Sequence, residues 1–99
     1  MENSGRKYDE GKLRWDFFPF EEAQDIVKVL MYGADKYGED PDEPNWKKMA
    51  DGKRRYFAAA MRHIVAWKSG EENDPETGIS HLAHAATNLM FMLYFKENG

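Results

Sequence analysis

The chain's three histidines are the residues whose types and spacing bear most directly on chemistry. His81, His84 and Asn88 occupy i, i+3 and i+7, so on a helix all three project from one face. Their neighbours are apolar, among them Leu82, Ala83, Ala85 and Leu89. A polar stripe in such surroundings costs free energy unless its groups are satisfied. Two imidazoles one turn apart can share a metal ion, or one can bind metal while the other holds a substrate phosphate. The plainer alternative is that they are partly exposed or bond to the backbone. His63 lies on an earlier, otherwise apolar helical face with Tyr56, Ala60 and Trp67. Arg62 beside it is either a phosphate clamp or a solvated arginine.

Carboxylates stand close by in sequence. Glu71 and Asp74, three residues apart, offer the oxygen ligands that Mg²⁺ or Mn²⁺ prefer. Asp74 also suits a helix N-cap. Glu21, Glu22 and Asp25 open the first helix, where acids are common for dipole reasons alone. The first nineteen residues form an arm carrying Arg6, Lys7, Lys12 and Arg14, with Asp9, Glu10 and Asp16 interleaved. Such an arm can fold over a triphosphate or remain a disordered terminus. Asn45-Trp46 offers an amide and a ring for a base, or an ordinary packing anchor. No Walker loop, GxGxxG or Ser/His/Asp order is present. With no cysteine, thiolate catalysis and Cys-type zinc sites are excluded.

Three helical segments must position these groups. Ile26, Val29, Leu30, Gly33 and Tyr37 recur at three and four, predicting a helix from Glu21 to about Tyr37 that stops near Gly38. Residues 38–52 read as a loop anchored by Trp46. A second helix is expected from about Lys53 to Ser69, closed by Gly70. Its apolar positions cover more than half the circumference, predicting a largely buried helix. Asp74-Pro75-Glu76-Thr77 reads as the start of a third helix running to about Lys96. That helix is apolar nearly all round from Leu82 onward. A short connection makes the second and third helices antiparallel, which sets His63 level with His81 and His84. Leu13, Trp15 and Phe17 alternate weakly, compatible with an arm or a short strand.

These features predict a single all-α domain over 1–99, a small bundle of three main helices. Three such helices cannot enclose both an all-round apolar helix and a polar site, so completion by homo-oligomerisation, as a homodimer or homotetramer, is expected. The net charge of −4 excludes the strongly basic profile of a general nucleic-acid binder, and no stable nucleic-acid binding is expected. The composition is 41% hydrophobic and 32% charged, too apolar for intrinsic disorder. The longest apolar run, Leu89 to Phe95, is far short of the ~20 residues that cross a bilayer. The N-terminus lacks the apolar segment of a signal peptide, so a cytoplasmic location is expected, the host cytoplasm if the gene belongs to a phage.

Four stretches carry a family resemblance: KYDEGKLRWDFFP (7–19), VLMYGADKYG with the following NW (29–38, 45–46), RHIVAWKSGEEND (62–74) and PETGISHLAHAATN (75–88). Together they resemble the dATP/dGTP diphosphohydrolase family found mainly in phages, a relative of the MazG-like all-α nucleotide pyrophosphohydrolases. The last two are the most specific, because RH, GE, D and HLAHA keep the family's order and spacing. The resemblance implies hydrolysis of a purine deoxynucleoside triphosphate to the monophosphate and pyrophosphate with Mg²⁺ or Mn²⁺. It implies His63, Asp74, His81 and His84 as metal ligands or ligand-orienting groups, with Glu71 as ligand or general base. Phosphate contacts would come from Arg62, Lys12 and Arg14. Asn45 and Trp46 would hold base or sugar, Lys36 would join the substrate contacts, and Asn88 would support the ligands. The wider MazG-like group carries ExxE on one helix and ExxD on the next. Here Arg62-His63 and the His81/His84 pair stand at those places. Either the histidines replace the carboxylates, or Glu71 and Asp74, or Glu22 and Asp25, supply them. A non-enzymatic phage adaptor whose histidines hold a structural metal is the competing reading.

Overall fold

A computed structural model describes residue 8, residues 10–38 and residues 40–98 of the chain, with side chains through 96. Arg6, Lys7 and Asp9 of the arm lie outside the described residues. Three helices follow in chain order: α1 (Phe20–Tyr37), α2 (Gly52–Lys68) and α3 (His81–Asn98). No strand is present among the described residues, and the class is all-α. The arm's weak alternation forms no strand. Trp15–Phe17 make one turn of 3-10 helix instead, with Leu13, Trp15 and Phe17 all exposed.

α2 and α3 pack antiparallel. Phe95 closes against the start of α2, where a Cβ on Gly52 would lie 2.5–2.8 Å from three of its ring atoms. One step inward, Tyr56 meets Phe91 and Phe95 at ring separations of 5.0 and 5.8 Å. Trp46, on a 3-10 turn at Asn45–Lys48, stacks on Phe91 at 4.3 Å and meets Tyr94 edge-on. Its carbonyl accepts the Tyr56 hydroxyl at 3.0 Å. α1 lies against α3 and is half-buried along Ile26, Val29, Leu30 and Gly33, whereas Tyr37 stands in solvent.

α2 ends in a Schellman motif. The amide of Gly70 donates to Trp67 O and that of Glu71 to Ala66 O, both at 3.0 Å, with Gly70 at a φ of 109° that favours glycine. The motif delivers the chain directly into the 71–80 connection.

The third helix begins later than its sequence predicts. Asp74 does cap a turn, its Oδ1 accepting the amides of Glu76 (2.8 Å) and Thr77 (3.1 Å). That turn ends at once, because Gly78 adopts a φ of 74° and its amide returns to Asp74 O at 2.7 Å. Ile79 O then accepts from Asp74 N, Asn73 and Ser80 form an antiparallel bridge, and His81 N reaches Glu72 O. The working cap of α3 is Ser80, whose Oγ accepts from Leu82 N at 3.1 Å. The segment 74–80 is a closed loop rather than a first helical turn.

α2 also differs from expectation. Among its residues only Gly52 and Ala60 are buried, while Phe57 is 52% and Val65 57% exposed. α3 exposes Leu82, Leu89, Met90 and Leu93. Packing only α1 and α2 around α3 leaves each helix with an uncovered apolar side. Among the described residues, no helix is long and apolar enough to cross a membrane.

Candidate metal centre and active site

Among the described residues, the buried groups concentrate at the start of α3, where polar side chains are enclosed beside Ala83 and Ala85. His81, His84, Thr87 and Asn88 are all buried in the first two turns of α3, with Thr87 only 1% exposed. Each finds a partner, as burial requires. Thr87 Oγ1 bonds to Ala83 O and Asn88 Nδ2 to His84 O, both one turn back at 2.8 Å. Asn88 therefore braces the backbone beneath His84.

The three histidines meet. His63 Nδ1 lies 2.9 Å from His81 Nδ1, and the His63 ring stacks on His84 at 4.5 Å with an interplanar angle of 11°. The expected level of the three residues is thus met, although α3 starts at His81. On its other side His81 Nε2 is 2.7 Å from Glu71 Oε1. A carboxylate only accepts, so His81 carries its proton on Nε2. With both rings neutral, His81 Nδ1 is then the acceptor for His63 Nδ1–H. Asp74 Oδ2, the oxygen not used by the loop amides, faces His63 Nδ1 at 3.9 Å. His63, Asp74 and His81 each offer one ligand atom, all within 4.8 Å of one another.

His84 lies outside that group of three. Its Nε2 is 2.7 Å from Thr77 Oγ1, and Thr77 Oγ1 also accepts Ile79 N–H at 3.1 Å.

The electrostatics favour neutral His63 and His84 rings and a charged Asp74. Burial pushes His63 below the usual imidazole value, and His84 and His81 add to this. Burial does the same to His84. For Asp74, burial works upward but is outweighed by the Thr77 and Glu76 amides and by the nearby His84 and His63, so its carboxyl sits below the usual range. Neutral imidazoles beside an ionised carboxylate are the protonation states in which these groups bind a metal.

The other sequence candidates occupy varied places. Glu71 is half-exposed and holds His81. Arg62 is exposed on α2 beside a shallow groove lined by Ala58, Met61, Val65 and Ala66. Arg14 is paired with Asp16 at 2.7 Å and lies over the Phe17 ring, and no hydrogen bond joins it or the exposed Lys12 to the histidines. Trp46 has one ring face covered by Phe91, seven residues beyond His84 and so about 10 Å further along α3. Asn45 lies beside it, half-buried. Glu21, Glu22 and Asp25 share no hydrogen bond with the cluster. Lys36 Nζ bonds Glu76 Oε2 at 3.0 Å, and Tyr32 OH bonds the same oxygen at 2.6 Å. Glu76 ties the 71–80 loop to α1, a link the sequence reading missed because Glu76 looked like a helix first-turn acid.

Comparison with known proteins bears on this arrangement. Residues 2–99 match the family model described as dATP/dGTP diphosphohydrolase, N-terminal. A dATP/dGTP diphosphohydrolase of Salmonella phage PMBT28 is 32% identical over 95 residues, covering 96% of this chain and 31% of that protein. The chain therefore spans less than a third of the length of this relative. No solved structure matches. With the family model matched from residue 2 to residue 99, the chain belongs to the dATP/dGTP diphosphohydrolase N-terminal family.

Proposed function

We propose that the chain hydrolyses a purine deoxynucleoside triphosphate, dATP or dGTP, to the monophosphate and pyrophosphate at the His63–Asp74–His81 cluster. The observation that carries this reading is the convergence of three donor atoms within 4.8 Å, inside the two sequence stretches most specific to the family. Three donors leave coordination positions open for water and substrate, whereas a structural site is closed by four protein ligands. Nothing in the geometry favours the structural-metal adaptor.

Two imidazole nitrogens and one carboxylate oxygen fit a divalent ion, and they suit Mn²⁺ better than Mg²⁺, which prefers an all-oxygen shell. His63, Asp74 and His81 would hold it. The bound ion supplies Lewis acidity toward water and the phosphate oxygens. The chain's own residues do the remainder. Glu71 Oε1 fixes the His81 ring and raises its basicity, as carboxylates behind metal-binding histidines do. Glu71 is half-exposed rather than locked in the core, and in this proposal it is also the group that takes the proton of the attacking water. Water attacks the α-phosphorus, the bond from that phosphorus to the bridging oxygen breaks, and pyrophosphate leaves. Arg62, exposed beside His63, binds the departing phosphates.

A second copy of the chain completes the fold in this proposal. Phe57, Met61 and Val65 recur at i, i+4 and i+8 on α2, and Leu82, Leu89 and Leu93 form a second exposed stripe on α3. Apolar area of this extent on a small chain marks an association surface. The reaction would take place in the cytoplasm, where nucleotide pools are held. The test is incubation of the protein with each dNTP and Mn²⁺. Pyrophosphate and monophosphate in equal amounts from a purine dNTP support the reading, and no product from any dNTP refutes it.

A further inference from the structure

Thr77 stands at the junction between the loop and α3, and both its amide and its hydroxyl are engaged. Its amide donates to Asp74 Oδ1 at 3.1 Å. Its hydroxyl oxygen accepts Ile79 N–H at 3.1 Å and meets His84 Nε2 at 2.7 Å. Ile79 returns the connection, its carbonyl accepting Asp74 N–H at 2.9 Å. Asp74 consequently has one oxygen fully engaged and the other turned toward His63. His84, held by Thr77, presents its face to His63 as a parallel plate.

We propose that Thr77 is a positioning residue: through its amide it aims the Asp74 carboxylate, and through its hydroxyl it locks His84, the ring against which His63 is laid. Two of the three donors are thus oriented from one residue, Asp74 from its backbone amide and His63, by way of His84, from its hydroxyl. His84 acts in the same way, from beneath His63, rather than as a ligand. The geometry follows from the loop closing at Gly78: a helix continuing from Asp74 would carry Thr77 onto its own surface and away from His84. The inference rests on reading the cluster as the metal-binding active site, and it concerns which residues preset that cluster.

The experiment compares Thr77→Val, which keeps the shape and removes the hydroxyl, with Thr77→Ser, which keeps the hydroxyl. Histidine ring signals are recorded by ¹H–¹⁵N NMR in the metal-free protein, and Mn²⁺ affinity is measured by calorimetry. Thr77→Val is expected to move the His84 and His63 ring signals and to weaken Mn²⁺ binding by roughly 10–100-fold, the loss that follows removal of a ligand's outer support. Thr77→Ser should restore both. His84→Phe keeps a ring against His63 but has no nitrogen to meet the Thr77 hydroxyl, and it should weaken Mn²⁺ binding similarly, which keeps the test decisive if the valine variant folds poorly. Unchanged ring signals and affinity in Thr77→Val overturn the proposal, as does a serine variant that behaves like valine. If the wild type binds no Mn²⁺, the metal reading fails, while the ring signals still report whether Thr77 positions the histidines.

Discussion

Replacing Asp74 by Asn separates the two roles of its carboxylate. Oδ1 holds the loop through the amides of Glu76 and Thr77 at 2.8 and 3.1 Å, and Oδ2 faces His63. An asparagine amide oxygen can accept the same two amides. What disappears is charge assistance, the difference between ~1.5–3 kcal/mol for a bond to a charged group and ~0.5–1.5 kcal/mol for a neutral one. Because the side chain is only 18% exposed, little of this is screened away. The expected destabilisation is about 1–2 kcal/mol, a fall in Tm of roughly 4–8 °C for each kcal/mol in a domain of this size. The variant stays folded, given the ~5–15 kcal/mol margin of ordinary domains. The proposed metal site should not survive, since a neutral amide replaces the only carboxylate of the donor set. Mn²⁺ affinity should fall by more than the ~10–100-fold that loss of an outer partner costs, and turnover with it. Asp74→Ala removes the loop bonds as well and should cost about 2–3 kcal/mol while matching Asn in its metal defect. Thermal denaturation by circular dichroism, Mn²⁺ calorimetry and pyrophosphate release measure the three quantities. Wild-type Mn²⁺ affinity in Asp74→Asn would refute the ligand assignment. Equal destabilisation by Asn and Ala would refute the claim that Oδ1 carries the loop.

Other consequences are equally open to measurement. His63 and His84 are held below the usual imidazole value by burial, so below about pH 6.5 the unfolded chain binds more protons than the folded one. Stability should therefore decline as pH falls from 6.5, and Asp74, also held low, adds a further loss at more acid pH; urea midpoints that are equal at pH 7.5 and 5.5 would contradict this. Gly52→Ala places a methyl group against the Phe95 ring and should cost about 1–3 kcal/mol by urea denaturation, despite alanine's better helix propensity. The protein should scatter light as a multiple of 11.5 kDa, and Leu89→Asp should dissociate it by placing a charge in the α3 stripe; a helical monomer of wild-type sequence would count against that interface.

How much of this was legible from residues alone varies by element. The three helices follow from apolar spacing, and the close approach of His63 to His81 and His84 follows from an antiparallel α2–α3 pair with a short connection. The start of α3 was not legible. An Asp whose carboxylate accepts amides two and three residues on serves equally a helix N-cap and an isolated turn, and only Gly78 in the left-handed region decides for the turn. The exposure of α2 was missed because periodicity reports that a face is apolar, not what covers it. Trp46 and Lys36 were read as substrate contacts, and the structure gives them partners in Phe91 and Glu76 that no spacing rule connects. The division of labour among the histidines was equally hidden. His81 and His84 are equivalent on a helical wheel, and the loop that gives one to Glu71 and the other to Thr77 lies outside the helix.

In the proposed reaction, water attacks the α-phosphorus of a purine deoxynucleoside triphosphate with a divalent ion held by His63, Asp74 and His81. Hydrolysis of dGTP and dATP in ¹⁸O-labelled water, followed by mass spectrometry of both products with Mn²⁺ and with chelator, tests it most directly. The expected result is one ¹⁸O in the monophosphate, none in the pyrophosphate, and no reaction in chelator or with Asp74→Asn. Label in the pyrophosphate, release of inorganic phosphate or triphosphate, or undiminished turnover in chelator would contradict it.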